Sequence, residues 1–96
     1  MMKMLVMVAD ASRLEAIRAD LAAIAAPGYT VIPVAEGHGR TGVHAGDRVH
    51  PGALTLVVVM DEDANATRAF DEMVKRRDAR GDDISRLFLI PVERQA

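Results

Sequence analysis

Apolar residues along this chain of 96 residues alternate between unbroken runs and helical stripes. Residues 3–9 form a first run rich in Val and Met, ended by Asp10, and read as a strand. The period then changes, with Leu14, Ile17, Leu21 and Ile24 recurring at the spacing of one helix face. Ser12 with Glu15 three residues on has the form of a capping box, and Pro27-Gly28 stops the stripe, so this helix is expected to run to about Ala25. Residues 29–34 read as a second strand, and residues 37–52, crowded with Gly and His, as a long loop. Residues 54–60, Leu-Thr-Leu-Val-Val-Val-Met, are the clearest strand in the chain. Asp61-Glu62-Asp63 supplies a turn and the acidic start of a helix, along which Ala66, Phe70, Met73, Val74 and Arg77 share a face. Gly81-Asp82-Asp83 breaks that stripe, and residues 84–92 form a last strand.

The order βαββαβ predicts a single domain over residues 1–96, of the α+β class: a ferredoxin-like, four-stranded antiparallel sheet with two helices on one face. In the usual spatial order of that fold, 4-1-3-2, the second and fourth strands are the edges. Those two carry proline, at Pro33 and Pro91, and proline cannot donate to a ladder, so composition and topology agree. A sheet covered by helices on one side and wetted on the other alternates apolar and polar residues. Residues 4–8, 56–60 and 87–90 are instead apolar at both parities, which predicts that the second face is covered too. With its own elements already assigned, the chain leaves another subunit as the expected cover, in a dimer or trimer.

Composition narrows the function. Half the residues are apolar and 27% are charged, which suits a folded domain, and one this small gains from association. Aromatic residues make up 3%, leaving Tyr29, Phe70 and Phe88 as the rings, too few for a surface that stacks bases. A formal net charge of −2 argues further against nucleic-acid binding, which rests on phosphate neutralisation. The absence of cysteine excludes thiolate catalysis, disulfides, iron–sulfur clusters and cysteine zinc sites. The apolar start, residues 4–8, is too short for a signal sequence or a membrane span, so a cytoplasmic protein without membrane insertion is expected. No nucleophile is paired with a base, and no enzymatic activity is expected.

Candidate chemistry gathers in the loop. Gly37-His38-Gly39-Arg40-Thr41-Gly42 lets successive N–H groups approach an oxyanion, with Arg40 as a fixed charge. It is not a P-loop, since Gly-Lys-Ser/Thr is missing, nor a dinucleotide fingerprint. The loop also holds all three histidines, so His38, His44 and His50 with Asp47 are the metal-ligand candidates. Their even spacing matches no closed motif, and no metal is assigned. Lys75-Arg76-Arg77-Asp78-Ala79-Arg80 clusters positive charge where a helix ends, and a solvated helix end is expected there.

The βαββαβ order, Gly28-Tyr29-Thr30-Val31 opening the second strand, Gly37-His38-Gly39-Arg40 closing it and Gly81-Asp82 before the last strand together resemble the PII signalling proteins and their PII-like relatives. The resemblance implies a signal-transduction protein of nitrogen regulation. It further implies a homotrimer with adenine nucleotides in the clefts between subunits and a loop that reports ligand state to a transporter or enzyme. It puts Thr30 on the adenine side, and Gly37, His38, Gly39, Arg40, Thr41 and Gly42 with Arg94 around the anionic part of the ligand, ATP, ADP or AMP. The stretch from Thr41 to Pro51 is shorter than a signalling loop and has no tyrosine for nucleotidylation. After Gly81 the chain reads Asp82-Asp83-Ile84, where the family offers glycine and lysine to phosphates. A divergent, short-loop PII-like protein is expected, its ligand a nucleotide, another small anion or a metal. The alternative is a metal-responsive protein resembling the trimeric CutA group, using the histidine loop.

Overall fold

The computed structural model describes residues 1–38 and 54–96. Strand β1 (Met2–Asp10) leads through a 3-10 turn (Ala11–Arg13) into helix α1 (Leu14–Ala23); β2 (Thr30–Pro33), β3 (Leu54–Glu62), α2 (Asp63–Ala79) and β4 (Arg86–Pro91) follow. Every paired strand is antiparallel and the sheet order is β2-β3-β1-β4. The ferredoxin-like arrangement is therefore present, with the proline-bearing strands at the two edges.

Alternation along the central strands sorts their side chains onto two faces. Leu5, Met7 and Ala9 of β1 and Val57 and Val59 of β3 bury against Ile17 and Leu21 of α1 and Met73 of α2. Truncating one of the larger members to alanine costs about 2–5 kcal/mol in a core packed this way. On the other face, register sets Thr30, Val58, Val6 and Phe88 in one row, Ile32, Leu56, Val8 and Arg86 in the next, and Met60, Met4 and Ile90 in a third. Thr30 and Arg86 are the polar side chains of these rows. Phe88 and Met60 are 50% and 54% exposed on the single chain, so the open face is the apolar surface that the two-parity runs predict.

Local starts and stops differ from expectation in instructive ways. The capping box does not form: Asp10 accepts from the Ser12 N–H at 2.8 Å and opens the 3-10 turn, and α1 begins at Leu14 without a side-chain cap. Helix α1 stops at Ala23, short of Ala25. Ala26 N–H donates to the Leu21 carbonyl at 3.0 Å and Ala25 N–H to that of Ala22 at 3.1 Å, a Schellman closure with Ala25 at φ 56°. Helix α2 closes in the same way, Asp82 N–H to Arg77 at 3.1 Å and Gly81 N–H to Asp78 at 3.0 Å, with Gly81 at φ 75°. Asp61 and Glu62 belong to β3 rather than to a turn, and β4 is shorter than residues 84–92 because Ile84 and Ser85 donate their N–H groups to Asp82.

The basic cluster at the end of α2 is tied rather than solvated. Arg80 lies 2.8 Å and Arg76 3.6 Å from the carboxylate of Asp20 on α1, a residue only 8% exposed. Arg77 pairs with Asp78 at 2.9 Å and donates to the Ser85 carbonyl at 3.3 Å. Two arginines one helical turn apart thus straddle one acid on the neighbouring helix and fasten the helix pair over the sheet. Lys75, 3.5 Å from Glu72, keeps the exposed position expected of the whole run.

Candidate functional site

Antiparallel pairing collects the strand ends at two opposite ends of the sheet. One end holds the start of β2 with Thr30, the end of β3 and the end of β4, beyond which lies Arg94. The other holds the end of β2 with Gly37 and His38 beyond it, the start of β3, Asp10 and the start of β4. The predicted site residues therefore divide: Thr30 and Arg94 at one end, Gly37 and His38 at the other. Gly39, Arg40, Thr41 and Gly42 lie outside the described residues, as do His44, Asp47 and His50. Among the described residues no group of three or more His, Asp or Glu could hold a metal ion.

At the Thr30 end the Schellman closure of α1 turns the chain through Pro27-Gly28 into β2. Pro27, Gly28, Tyr29, Thr30, Val58 and Met60 line a cleft of about 290 Å³ there. Val58 and Met60 give it an apolar floor, while Thr30, exposed on the open face, contributes a hydroxyl at the rim. An apolar floor beside one hydrogen-bonding group suits a flat ring with a polar edge. Val92 N–H donates to the Met2 carbonyl at 3.0 Å, which carries the chain alongside β1 shortly before Arg94.

At the other end Val34 N–H donates to the Leu54 carbonyl at 3.0 Å, extending β2 toward Gly37. A Cβ on Gly37 would meet Leu54 Cδ1 at 3.6 Å, so this glycine sits directly against the start of β3. Also at this end lies a polar group that spacing arguments missed. Asp82, with its side chain 1% exposed, accepts hydrogen bonds from Ile84 N–H and Ser85 N–H at 3.0 Å and from the Ser85 hydroxyl, and Arg13 Nε is 4.0 Å away. Burial pushes the carboxyl pKa up, but the Ser85 hydroxyl, the two N–H groups and the Arg13 charge outweigh it and hold it below the ordinary carboxylate range. The signal available in the sequence was an acid three residues past the end of α2, where the carbonyl pole of a helix disfavours negative charge.

The sheet order and the edge prolines define a ferredoxin-like domain. Residues 2–95 match the family described as nitrogen regulatory protein P-II, and the chain belongs to that family as a divergent, PII-like member. No curated protein matches it. Among solved structures it is similar to CPII, a nitrogen regulatory PII-like protein from Thiomonas intermedia K12 bound to ADP, AMP and bicarbonate. The TM-score is 0.66 at 15% identity, over 93% of this chain and 89% of that one. A DUF3240 family protein from Shewanella baltica gives a TM-score of 0.70 at 14% identity, over 99% and 93%. A putative PII-like signaling protein from Thermus thermophilus gives 0.57 at 15%, over 92% and 81%. At these identities the likeness is one of fold. No helix among the described residues is long and apolar enough to cross a membrane.

Proposed function

We propose that the chain is a non-enzymatic, cytoplasmic PII-like signal-transduction protein. It assembles as a homotrimer, binds an adenine nucleotide between copies, and uses the segment after β2 to regulate a transporter or enzyme. The observation that carries this reading is the division of the site. Thr30 stands opposite Val58, whereas Gly37 lies beside Leu54, four residues back along β3 and roughly 13 Å away at strand rise. A ligand held by both sets meets them most simply on two copies, the Thr30 end of one against the Gly37 end of its neighbour. The apolar open face supplies the surface through which copies associate. The apolar-floored cleft at Thr30 takes the adenine, and Gly37, His38, Gly39, Arg40, Thr41 and Gly42 with Arg94 surround the phosphates. The ADP and AMP bound by the Thiomonas structure support this choice of ligand, and its bicarbonate names a second anion to try.

Calorimetric titration with ATP, ADP and AMP, each with and without magnesium and bicarbonate, tests the proposal. Saturable binding of at least one nucleotide is expected, and no binding of any would overturn the nucleotide reading. Sedimentation velocity is expected to return a trimer. Mixing and reassembling Arg94→Ala with Arg40→Ala, each deficient alone, is expected to restore a fraction of the sites; no restoration would overturn the shared cleft.

A further inference from the structure

We propose that the cavity between the end of α1 and the first half of α2, on the helix-covered side of the sheet, is a second small-ligand site, and that it takes a free amino acid with a short apolar side chain. The cavity holds about 220 Å³, below the roughly 300–1,000 Å³ of pockets for drug-sized ligands. Val59 of β3 and Ala69 of α2 give it apolar surface, and Ile24 and Ala26 of the α1 closure wall one side. Asp61, Asn65, Arg68 and Glu72 bring charge and hydrogen-bonding groups. Side chains of successive β3 residues point to opposite faces, so Val59 and Asp61 face the helices, whereas Val58 and Met60 belong to the cleft at Thr30. Pro27 lines both cavities.

The charges on its walls select the ligand. Along the helix-facing side of β3, Val57 and Val59 are buried and Asp61 follows them, a carboxylate in the row that elsewhere forms the core. Lys3 stands directly opposite Asp61 in the register, yet its ammonium is taken by Asp63 at 2.8 Å. One Asp61 oxygen accepts the neighbouring Glu62 N–H at 2.7 Å, and among the described residues no cation lies within ion-pairing distance of it. On α2, Arg68 has one side-chain partner among the described residues, Asn65 Oδ1 at 3.1 Å, which leaves most of the guanidinium fork free. Glu72, one turn further on, is engaged with Lys75 at 3.5 Å. A carboxylate and a guanidinium thus line one cavity without pairing with each other. That arrangement suits a ligand carrying both charges, its ammonium on Asp61 beside the carbonyl pole of α1, its carboxylate on Arg68 and its side chain against Val59 and Ala26. Two acids and that pole disfavour a phosphate-bearing ligand, so this class is separate from the one proposed for the cleft at Thr30.

Calorimetric titration of the nucleotide-free protein with L-alanine, L-valine, L-leucine and L-methionine tests the proposal. At least one is expected to bind saturably, one per chain, and its analogues lacking the amino or the carboxyl group to bind about tenfold more weakly or worse. Asp61→Asn and Arg68→Gln each weaken the amino acid about tenfold or more, while Arg68→Gln leaves the affinity of the amine analogue, which has no carboxylate, unchanged. Two-dimensional amide NMR of the wild-type protein locates the site without any variant and decides the matter where a variant is unfolded. The signals of Ile24, Ala26, Val59 and Ala69 are expected to move on saturation, and that of Phe88 on the open face to stay. No binding of any of these amino acids at millimolar concentration, binding that either folded variant retains at wild-type affinity, analogues that bind as tightly, or signals that move only elsewhere overturn the proposal. No nucleotide enters the test, so the amino-acid site fails or stands apart from the nucleotide reading.

Discussion

Ala25 and Gly81 occupy the same position in two identical helix closures, and exchanging their side chains is expected to move stability in opposite directions. Both have the positive φ of the left-handed region, 56° and 75°. An L-residue there crowds its Cβ against the following carbonyl at a cost of about 1–2 kcal/mol. Glycine escapes that cost but loses more backbone freedom on folding, by about 0.5–1 kcal/mol. The difference leaves Ala25→Gly stabilising by about 0.5–1 kcal/mol and Gly81→Ala destabilising by a similar amount. No heavy atom lies within 4 Å of a Cβ built on Gly81, so backbone strain and not collision sets the second value. Roughly 4–8 °C in Tm accompany each kcal/mol in a domain of this size. Urea denaturation at fixed subunit concentration measures both, with the slope m unchanged if the native and denatured states keep their compactness. A midpoint that fails to rise in Ala25→Gly, or fails to fall in Gly81→Ala, refutes the strain argument.

Asp82→Ala is expected to cost about 2–4 kcal/mol, since it strands buried donors. Because the folded pKa of Asp82 is depressed, its contribution is whole above about pH 4, the unfolded value, and fades as pH falls through the folded one. Urea melts stepped from neutral to acid pH should therefore decline less steeply in the variant than in wild type. Arg80→Met is expected to destabilise by about 1–2 kcal/mol and Arg76→Met by less, since Arg80 stands closer to Asp20; thermal melts of the two variants rank them. Phe88→Glu puts a charge into the apolar open face, and light scattering after size exclusion is expected to find a monomer with native helix content.

What the chain reveals of itself in one dimension depends on how local each cause is. Strand and helix order follow from runs and stripes a few residues long, and the edge strands from the missing N–H of Pro33 and Pro91. Ser12 misleads because its own N–H is captured by Asp10 before a helix exists for it to cap. Ala25 carries no mark of its left-handed backbone, since the residue type that usually reports it is glycine. The arginines at the end of α2 read as solvated because their acid, Asp20, is on another helix. The candidate site suffers most from linear reading. Thr30, Gly37, His38 and Arg94 make one list in sequence, yet pairing places them at two ends of the sheet.

The two βαβ halves differ where each helix returns to the sheet, and under the proposed function that difference bears on how a ligand's charge is held. After α1 the chain leaves an open cleft around Thr30 with an apolar floor. After α2 it seals the turn, Asp82 taking the donors and Arg86 the carbonyls. Under the proposed function, an anionic ligand seated between copies finds the cleft at Thr30 open and is expected to draw no charge from the α2–β4 turn. The proposed function then gives such a ligand Arg94 and the segment beginning at Gly37 as positive partners, and not Arg86, although Arg86 lies exposed at the end of the sheet. Arg86→Ala should lower the urea midpoint by exposing three carbonyls, with nucleotide affinity measured by calorimetry unchanged. Arg94→Ala should do the reverse, weakening affinity about tenfold or more, as loss of a charge-assisted bond of about 1.5–3 kcal/mol requires, at constant stability. Equal losses of affinity in both variants would mean that Arg86 leaves its carbonyls for the ligand, and the turn would have to be regarded as open.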